Sequence, residues 1–540
     1  MNHLTQKQKV TVMIALMAAM FFAAINQTLV STAMPRIIAM LGGMQYYSWV
    51  ITIFMLCSTI STVLVGKLSD IYGRKPFLLG GIVVFMLGSF LTGLSTDITQ
   101  MIIFRAIQGV GAGILMSTTV TAVGDLFAPR ERAKWTGVMM AIFGFSSILG
   151  PTLGGVMIDH MDWKWLFWAF LPLGIVAFVM IWRMFPKTER AKSESIDYWG
   201  SLVLSASIVA LLLGFSWAGN KYAWDSIEII SLFAAAVVGV ILLIFIERKA
   251  KSPVLPLSLF KNSIVTISFA VGFLMNAGMM GAMIYMPFFV QGVEGLTPTQ
   301  SGFVNIPMSI TMIILSTLVG RWISKSGKYK RFAIIGVAVM IVSMIMLANM
   351  HSVAMAVASM TVFGVGLGLS MSVFTLTVQN ALPPTQLGVA TATSTLFRNL
   401  GGTIGIAIFG SIMNSVLVRN LDKAMASSSG VDLSQTDPEI ATQLTALMDP
   451  RTLMNQPLLE QLHTKLPEEA QPLFTHMIEM LRSVLGDTLS TVFIIGAVLI
   501  GVGLILTIFL KEIPLRSSNE KQPNQADEQN ADKLKKATVN

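Results

Sequence analysis

An all-α polytopic membrane protein of about fourteen spanning helices is the fold class that this sequence predicts, and three observations predict it. Hydrophobic residues fill 54% of the 540 positions and charged residues only 12%, with a mean hydropathy of +0.71. A water-soluble domain carries roughly twice that share of charge, about 25%. Apolar windows of about 20 residues, long enough to cross a bilayer core as a helix, recur along nearly the whole chain. Lys and Arg gather in alternate connections between those windows.

The windows fall near 10–35, 47–66, 77–95, 99–123, 135–157, 163–182, 199–218, 227–246, 263–290, 300–320, 332–349, 353–379, 389–418 and 488–510. The first follows a short polar start at 1–9 and shows no small-residue cleavage site, so it is expected to be a span rather than a removed leader. Connections after even-numbered windows carry Lys67, Arg74 and Lys75; Arg130, Arg132 and Lys134; Arg183, Lys187, Arg190 and Lys192. The series continues with Arg248, Lys249, Lys251 and Lys261, then Arg321, Lys325, Lys328, Lys330 and Arg331. The opposite short connections offer little beyond Arg36, Lys164 and Lys221. That asymmetry predicts both termini in the cytoplasm.

The same asymmetry accounts for the net charge of +9. No interleaving of basic and aromatic residues accompanies it, so no nucleic-acid partner is expected. A single cysteine, Cys57, excludes an intramolecular disulfide and a cysteine metal cluster. His3, His160, His351, His463 and His476 all fall outside the windows. A membrane-embedded enzyme would need a nucleophile or metal ligands at depth; no catalytic residue, metal or cofactor is expected.

The chain also repeats itself. G-R-W-I-S-K-S-G-K at 320–328 echoes G-K-L-S-D-I-Y-G-R at 66–74, a spacing of 254 residues from Gly66 to Gly320. At nearly the same spacing, G-V-G-L-G at 364–368 echoes G-V-G-A-G at 109–113. Two six-helix bundles related in this way, with two extra central helices, are the expected architecture. The expected division is a first bundle at 1–182, the two extra helices and linkers at 183–262, and the first five helices of the second bundle at 263–418. An acidic outer segment follows at 419–486, with helical periodicity at 457–485 suggesting a small amphipathic cap. The last span lies in 487–513, and a tail rich in Asn, Gln and Lys at 514–540 is expected to be disordered.

The segment 66–75, G-K-L-S-D-I-Y-G-R-K, reads as a short charged loop between two antiparallel spans. Gly66 and Gly73 allow close helix approach and a tight turn. Asp70 can accept hydrogen bonds from a helix N-terminus, where partial positive charge collects. Arg74 can pair with an acid such as Asp125 at the end of the fourth span. Within that fourth span Arg105 opens R-A-I-Q-G-V-G, and an arginine inside a span faces a cavity or a partner. In the fifth span, 146–155 reads S-S-I-L-G-P-T-L-G-G. There Pro151 removes a helix hydrogen bond, while Gly150, Gly154 and Gly155 permit bending and close packing.

These three motifs resemble, in order, the loop motif, the fourth-span motif and the antiporter signature of the major facilitator superfamily. D-W-K-W-L-F at 162–167, P-L-G at 172–174, N-Q-T-L-V-S-T-A-M-P at 26–35 and R-N-L-G-G-T-I-G at 398–405 resemble its fourteen-span drug:proton antiporter family. The resemblance covers nearly the whole chain except the 419–486 segment and the tail. It implies the major facilitator fold and a bacterial inner or plasma membrane location. It implies an exporter of lipophilic or amphiphilic small molecules, acting by proton antiport with alternating access, in which Gly66, Asp70, Gly73, Arg74 and Asp125 form an inner gate. The alternative is a dedicated exporter of one endogenous metabolite, such as a lipid, signalling nucleotide or amino acid. A monomer in the lipid bilayer is expected in either case.

One departure from the family matters. Many members have an aspartate where this chain has Asn26, and no Asp, Glu or His lies near the centre of any span. The deep charges are Arg105 and Arg398. An amide does not titrate, so proton coupling is expected to use Asp70 and Asp125 at one face or Glu228 and Glu294 at the other, unless the substrate carries the proton. Deep cations without deep acids lean the expected substrates towards neutral or anionic amphiphiles. There are 37 methionines, clustered at Met275, Met279, Met280, Met283 and Met286, and their adaptable shape suits a permissive pocket. Asn276, Tyr285, Gln291 and Asn305 are the polar positions expected to orient a ligand there.

Overall fold

Fourteen helices of the described chain are long and apolar enough to cross a membrane. The computed structural model describes residues 5–41, 47–186, 197–218, 222–250, 253–296, 298–383, 386–427 and 471–515, with single positions 453, 459 and 464. In order they form α1 (Gln6–Leu41), α2 (Tyr47–Tyr72), α3 (Arg74–Gly93), α4 (Ile98–Leu126) and α5 (Pro129–His160). A short α6 (Trp165–Trp168) precedes α7 (Leu171–Met184), followed by α8 (Tyr198–Trp217), α9 (Ile227–Lys249) and α10 (Ser263–Pro287). Then come α11 (Pro298–Val304), α12 (Ile306–Ser326), α13 (Lys330–Ala348), α14 (Val353–Ala381), α15 (Leu387–Ser427) and α16 (Gln471–Ile508).

Several expected boundaries move, each for a local reason. The segment 66–75 is not a loop: α2 stays helical through Tyr72, α3 begins at Arg74, and the connection is Gly73 alone at φ 89°. Its polar side chains ended the apolar window without ending the helix. The second copy ends in the same way, at Gly327 with φ 72°, a backbone region that glycine enters without steric cost. The sixth span divides into α6 and α7, with Pro172 in the first turn of α7, a position where its missing N–H costs nothing. The tenth divides at Asn305 into α11 and α12, with Pro307 likewise in the first turn of α12. Beyond Pro287, α10 widens into a π-helical turn over Phe288–Val293. The last span is far longer than 488–510, because α16 starts at Gln471. The helical part of the expected cap is therefore continuous with a spanning helix, and α15 extends to Ser427 from the other side.

The rest of the cap and the tail from 516 lie outside the described residues. So do Lys187, Arg190, Lys192, Lys221 and Lys251, and the side chains of Arg36, Arg130, Pro151 and Gly155.

The sequence repeat is a repeat of contacts. On α4, Gly109 meets the backbone of Phe54 and Gly113 that of Ser58, both on α2, while Gly111 between them meets Phe85 on α3. On α14, Gly364 meets Met308 and Gly368 meets Met312, both on α12, while Gly366 meets Gly336 and Met340 on α13. Residues four apart share one helix face and the residue between them faces away from it, so each triplet packs one helix against two neighbours. Small residues serve here because lipid offers no hydrophobic drive for helix association, and close van der Waals contact takes over. In the same manner Gly150 and Gly154 of α5 lie against Thr28 and Leu29 of α1, and Gly401 and Gly405 of α15 against Phe273 and Ala277 of α10.

The hairpin α8–α9 joins the bundle at a seam. Leu204, Ile208 and Leu212 of α8 pack with Val63 of α2 and Leu396 of α15. On α9, Ile230, Val237, Ile241 and Phe245 are exposed, an apolar surface suited to lipid.

Close packing at the triplets gives a direct contrast. Gly113→Ala forces a Cβ into the Ser58 carbonyl, whereas Gly80→Ala meets nothing within 4 Å. Gly113→Ala should lose about 1–3 kcal/mol, the usual cost of overpacking, and Gly80→Ala should lose none. Thermal unfolding of the purified protein distinguishes them; equal midpoints would contradict the packing described.

Candidate functional site

The end of the molecule that carries Gly73 and Gly327 holds its densest polar cluster among the described residues. Arg74, first residue of α3, is buried and uses its whole fork. Nε donates to Asp125 Oδ2 at 2.9 Å, Nη1 donates to Ser69 Oγ at 2.6 Å, and Nη2 donates to Asp70 Oδ1. Asp70, in the last turn of α2, and Arg74, the first residue of α3, meet across the sharp turn that Gly73 makes at φ 89° and ψ 160°. The other oxygen of Asp70 leaves this half of the molecule: Oδ2 accepts from the backbone N–H of Val389 at 3.1 Å. Val389 is the third residue of α15, so its N–H is one of the donors a helix leaves unpaired at its start. The helix dipole adds to the attraction for a carboxylate.

Two glycines allow that approach. Gly388 lies against Asp70 and the Gly66 carbonyl, and Gly66 lies against Ala392. Gly66 was legible in the motif. Gly388 and Val389 were not, since their part in the contact is made by backbone and by lack of a side chain.

The second copy joins elements differently. Gly320 of α12 packs on the Ala133 carbonyl of α5, and Ser316 Oγ donates to the Gly137 carbonyl at 3.2 Å. Buried Arg132 donates to the Gly124 carbonyl at 2.6 Å and to the Gln379 carbonyl of α14 at 3.4 Å. Ser324 stands where the first copy has its acid. The turn that follows is held from within its own half: Glu512 Oε1 accepts from the N–H groups of Tyr329 at 2.7 Å and Lys330 at 3.0 Å.

Deeper in the first half, Arg105 lies with its guanidinium 4.2 Å from the centre of the Phe54 ring, a cation–π contact. Its Nη1 donates to Gln108 Oε1 at 2.7 Å, Gln108 Nε2 donates to Asn26 Oδ1 at 2.8 Å, and Asn26 Nδ2 donates to Ser89 Oγ at 3.4 Å. Ser89 Oγ ends the chain on the Phe167 carbonyl at 2.9 Å. Every member of this relay is buried, and no acid takes part.

In the second half, α10, α14 and α15 line a half-open cleft of about 350 Å³, open solvent included, bounded among others by Gly272, Met275, Asn276, Met279, Phe374 and Arg398. Three of the residues expected to orient or line a ligand cavity meet here, Met275, Asn276 and Met279, together with Arg398, the second deep charge. Met371, Thr375 and Ser394 join them without any sequence signal beyond their place on apolar helices. Three others are elsewhere. Tyr285 is buried in the core of the second half, Gln291 belongs to the π-helical turn, and Asn305 lies between α11 and α12. Asn26 and Arg105 do not line this pocket either.

Comparisons with known proteins agree with this architecture. The Major Facilitator Superfamily profile matches residues 16–406. The chain is 37% identical over 543 aligned positions to the multidrug transporter protein MdtP of Bacillus subtilis, covering 98% of this chain and 97% of that protein. It is 34% identical to multidrug resistance protein 3 of the same organism, over 80% of this chain and 85% of that one. Among solved structures, the human organic anion transporter MFSD10 superposes with a TM-score of 0.60 at 15% identity, covering 91% of this chain and 99% of its own. With its fourteen apolar helices, its repeated motifs and this match, the chain belongs to the Major Facilitator Superfamily.

Proposed function

We propose that this protein exports lipophilic or amphiphilic compounds across the membrane by alternating access, driven by protons moving the other way. The relatives named as multidrug transporters support the cargo class. The observation that carries the mechanism is the contact of Asp70 with the start of α15. It ties the first half of the chain to the second through one carboxylate at the Gly73 end, a contact that loss of one charge can release. We infer further that 1–182 and the helices from 263 onward move as two bundles about the seam filled by α8–α9. The protein is read as a monomer.

On our reading the Gly73 end faces the cytoplasm, which the basic connections support, so that the latched state would be closed to the cytoplasm. Asp70 and Asp125 are the acids that accompany Arg74 there. A proton reaching Asp70 removes the charge that holds both Arg74 and the α15 N-terminus, so the cytoplasmic end opens to cargo. Loss of the proton to the cytoplasm restores the latch, and the cargo then leaves on the other side. This assigns coupling to the latch itself, which fits a chain whose deep position 26 is an amide. The Arg105–Gln108–Asn26–Ser89 relay holds the buried arginine in place during that cycle.

Two experiments test these roles. In inside-out vesicles, an acidic lumen should drive accumulation of a lipophilic dye, and Asp70→Asn should lower the initial rate tenfold or more. Flux indifferent to the gradient would end the antiport assignment. For the relay, Gln108→Leu leaves Arg105 with the Phe54 ring alone and should cost about 2 kcal/mol, typical of a stranded charged donor. Gln108→Glu restores an acceptor and should recover most of that loss in thermal unfolding. Equal stability of the Leu variant and the parent would show that the relay holds nothing.

A further inference from the structure

We propose that Arg398 makes the pocket of the second half an anion subsite, so that the favoured cargo is an amphiphile with a carboxylate or sulfonate head and an apolar body. This rests on the export reading above and narrows its substrate class. The two deep arginines differ in what surrounds them. Arg105 is consumed by Gln108 and the Phe54 ring. Arg398 lines the pocket, and its guanidinium makes no hydrogen bond or ion pair among the described residues.

The residue is nevertheless firmly placed. Its backbone carbonyl accepts from Asn276 Nδ2 at 2.6 Å, and its stem runs past Gly272, where an added Cβ would come within 3.3 Å of Cγ. Gly272 thus leaves room for the arginine to reach the cavity. No Asp or Glu occurs in α10 or α14, nor in α15 before Asp422, so the chain offers the guanidinium no counter-charge at this depth. A half-buried, unpaired cation at this depth costs free energy that a bound anion recovers and a bound cation increases.

The remainder of the lining suits the rest of such a molecule. An arginine fork matches the two oxygens of a carboxylate or sulfonate, and Ser394, one turn before Arg398 on α15, and Thr375 of α14 add hydroxyl groups to the lining. Met275, Met279 and Phe374 supply a polarizable apolar surface that adapts to bodies of different shape.

The test is equilibrium binding of two probes with the same tail, decanesulfonate and decyltrimethylammonium, to the purified protein in zwitterionic-lipid nanodiscs, with empty nanodiscs subtracted. The parent should bind the sulfonate at least tenfold more tightly than the ammonium. Arg398→Gln should abolish that preference, and Arg398→Lys, which keeps charge but loses the fork, should retain part of it. An unchanged preference in folded Arg398→Gln, or tighter binding of the ammonium by the parent, overturns the proposal. If Arg398→Gln does not fold, Arg398→Lys decides: sulfonate affinity equal to the parent's overturns the proposal, and a several-fold loss supports it. Binding is read without a gradient. Selective binding with no vesicle flux would therefore sink the export reading while leaving the subsite intact.

Discussion

Asp70 is the side chain on which the proposed latch depends, because its two oxygens serve two halves of the chain at once. One holds Arg74 beside it and the other holds the backbone of Val389 at the start of α15. Where lipid replaces water, a carboxylate persists only among donors. Asp70, Asp125 and Arg74 carry two negative charges and one positive, and the α15 terminus supplies roughly half a charge towards the difference. With its present neighbours the cluster is left about half a negative charge from balance, and in the proposed cycle it would move further from balance as α15 moved away. A contact of this kind can hold tightly and still release.

Around it, the fold is built on backbone proximity more than on side-chain pairing. Gly109, Gly111 and Gly113, repeated as Gly364, Gly366 and Gly368, bring α4 and α14 against two helices each. Gly388 and Gly66 do the same across the two halves. The internal symmetry breaks where chemistry is needed. In the first copy an acid reaches the other half, whereas the second copy carries Ser324 and its turn is capped by Glu512 from its own half.

Much of this was legible in the sequence, and what was not has identifiable causes. The spans, the repeat and the pairing partners of Arg74 follow from apolar windows and motif spacing. The segment 66–75 was misread as a loop because polar side chains interrupt hydropathy, while helical hydrogen bonding ignores them. The breaks at Pro172 and Pro307 fall inside apolar windows that hydropathy cannot divide. Val389 and Gly388 contribute an N–H and an absent side chain, neither of which a motif records. Of the residues expected to line a cavity, Met275, Asn276 and Met279 share this pocket while Tyr285, Gln291 and Asn305 do not, since which face of a helix looks inward depends on packing; Arg398, expected as a coupling residue, lines it too.

The latch is tested most directly by a distance. Spin labels at Tyr72, the exposed last residue of α2, and at exposed Lys328, in the turn between α12 and α13, report the separation of the two halves at the Gly73 end, with Cys57 replaced by Ser. With Asp70 intact, pulsed dipolar spectroscopy should give one dominant short separation. Asp70→Asn should move a substantial fraction to longer separations. A distribution unchanged by that substitution would mean that Asp70 does not hold the halves together.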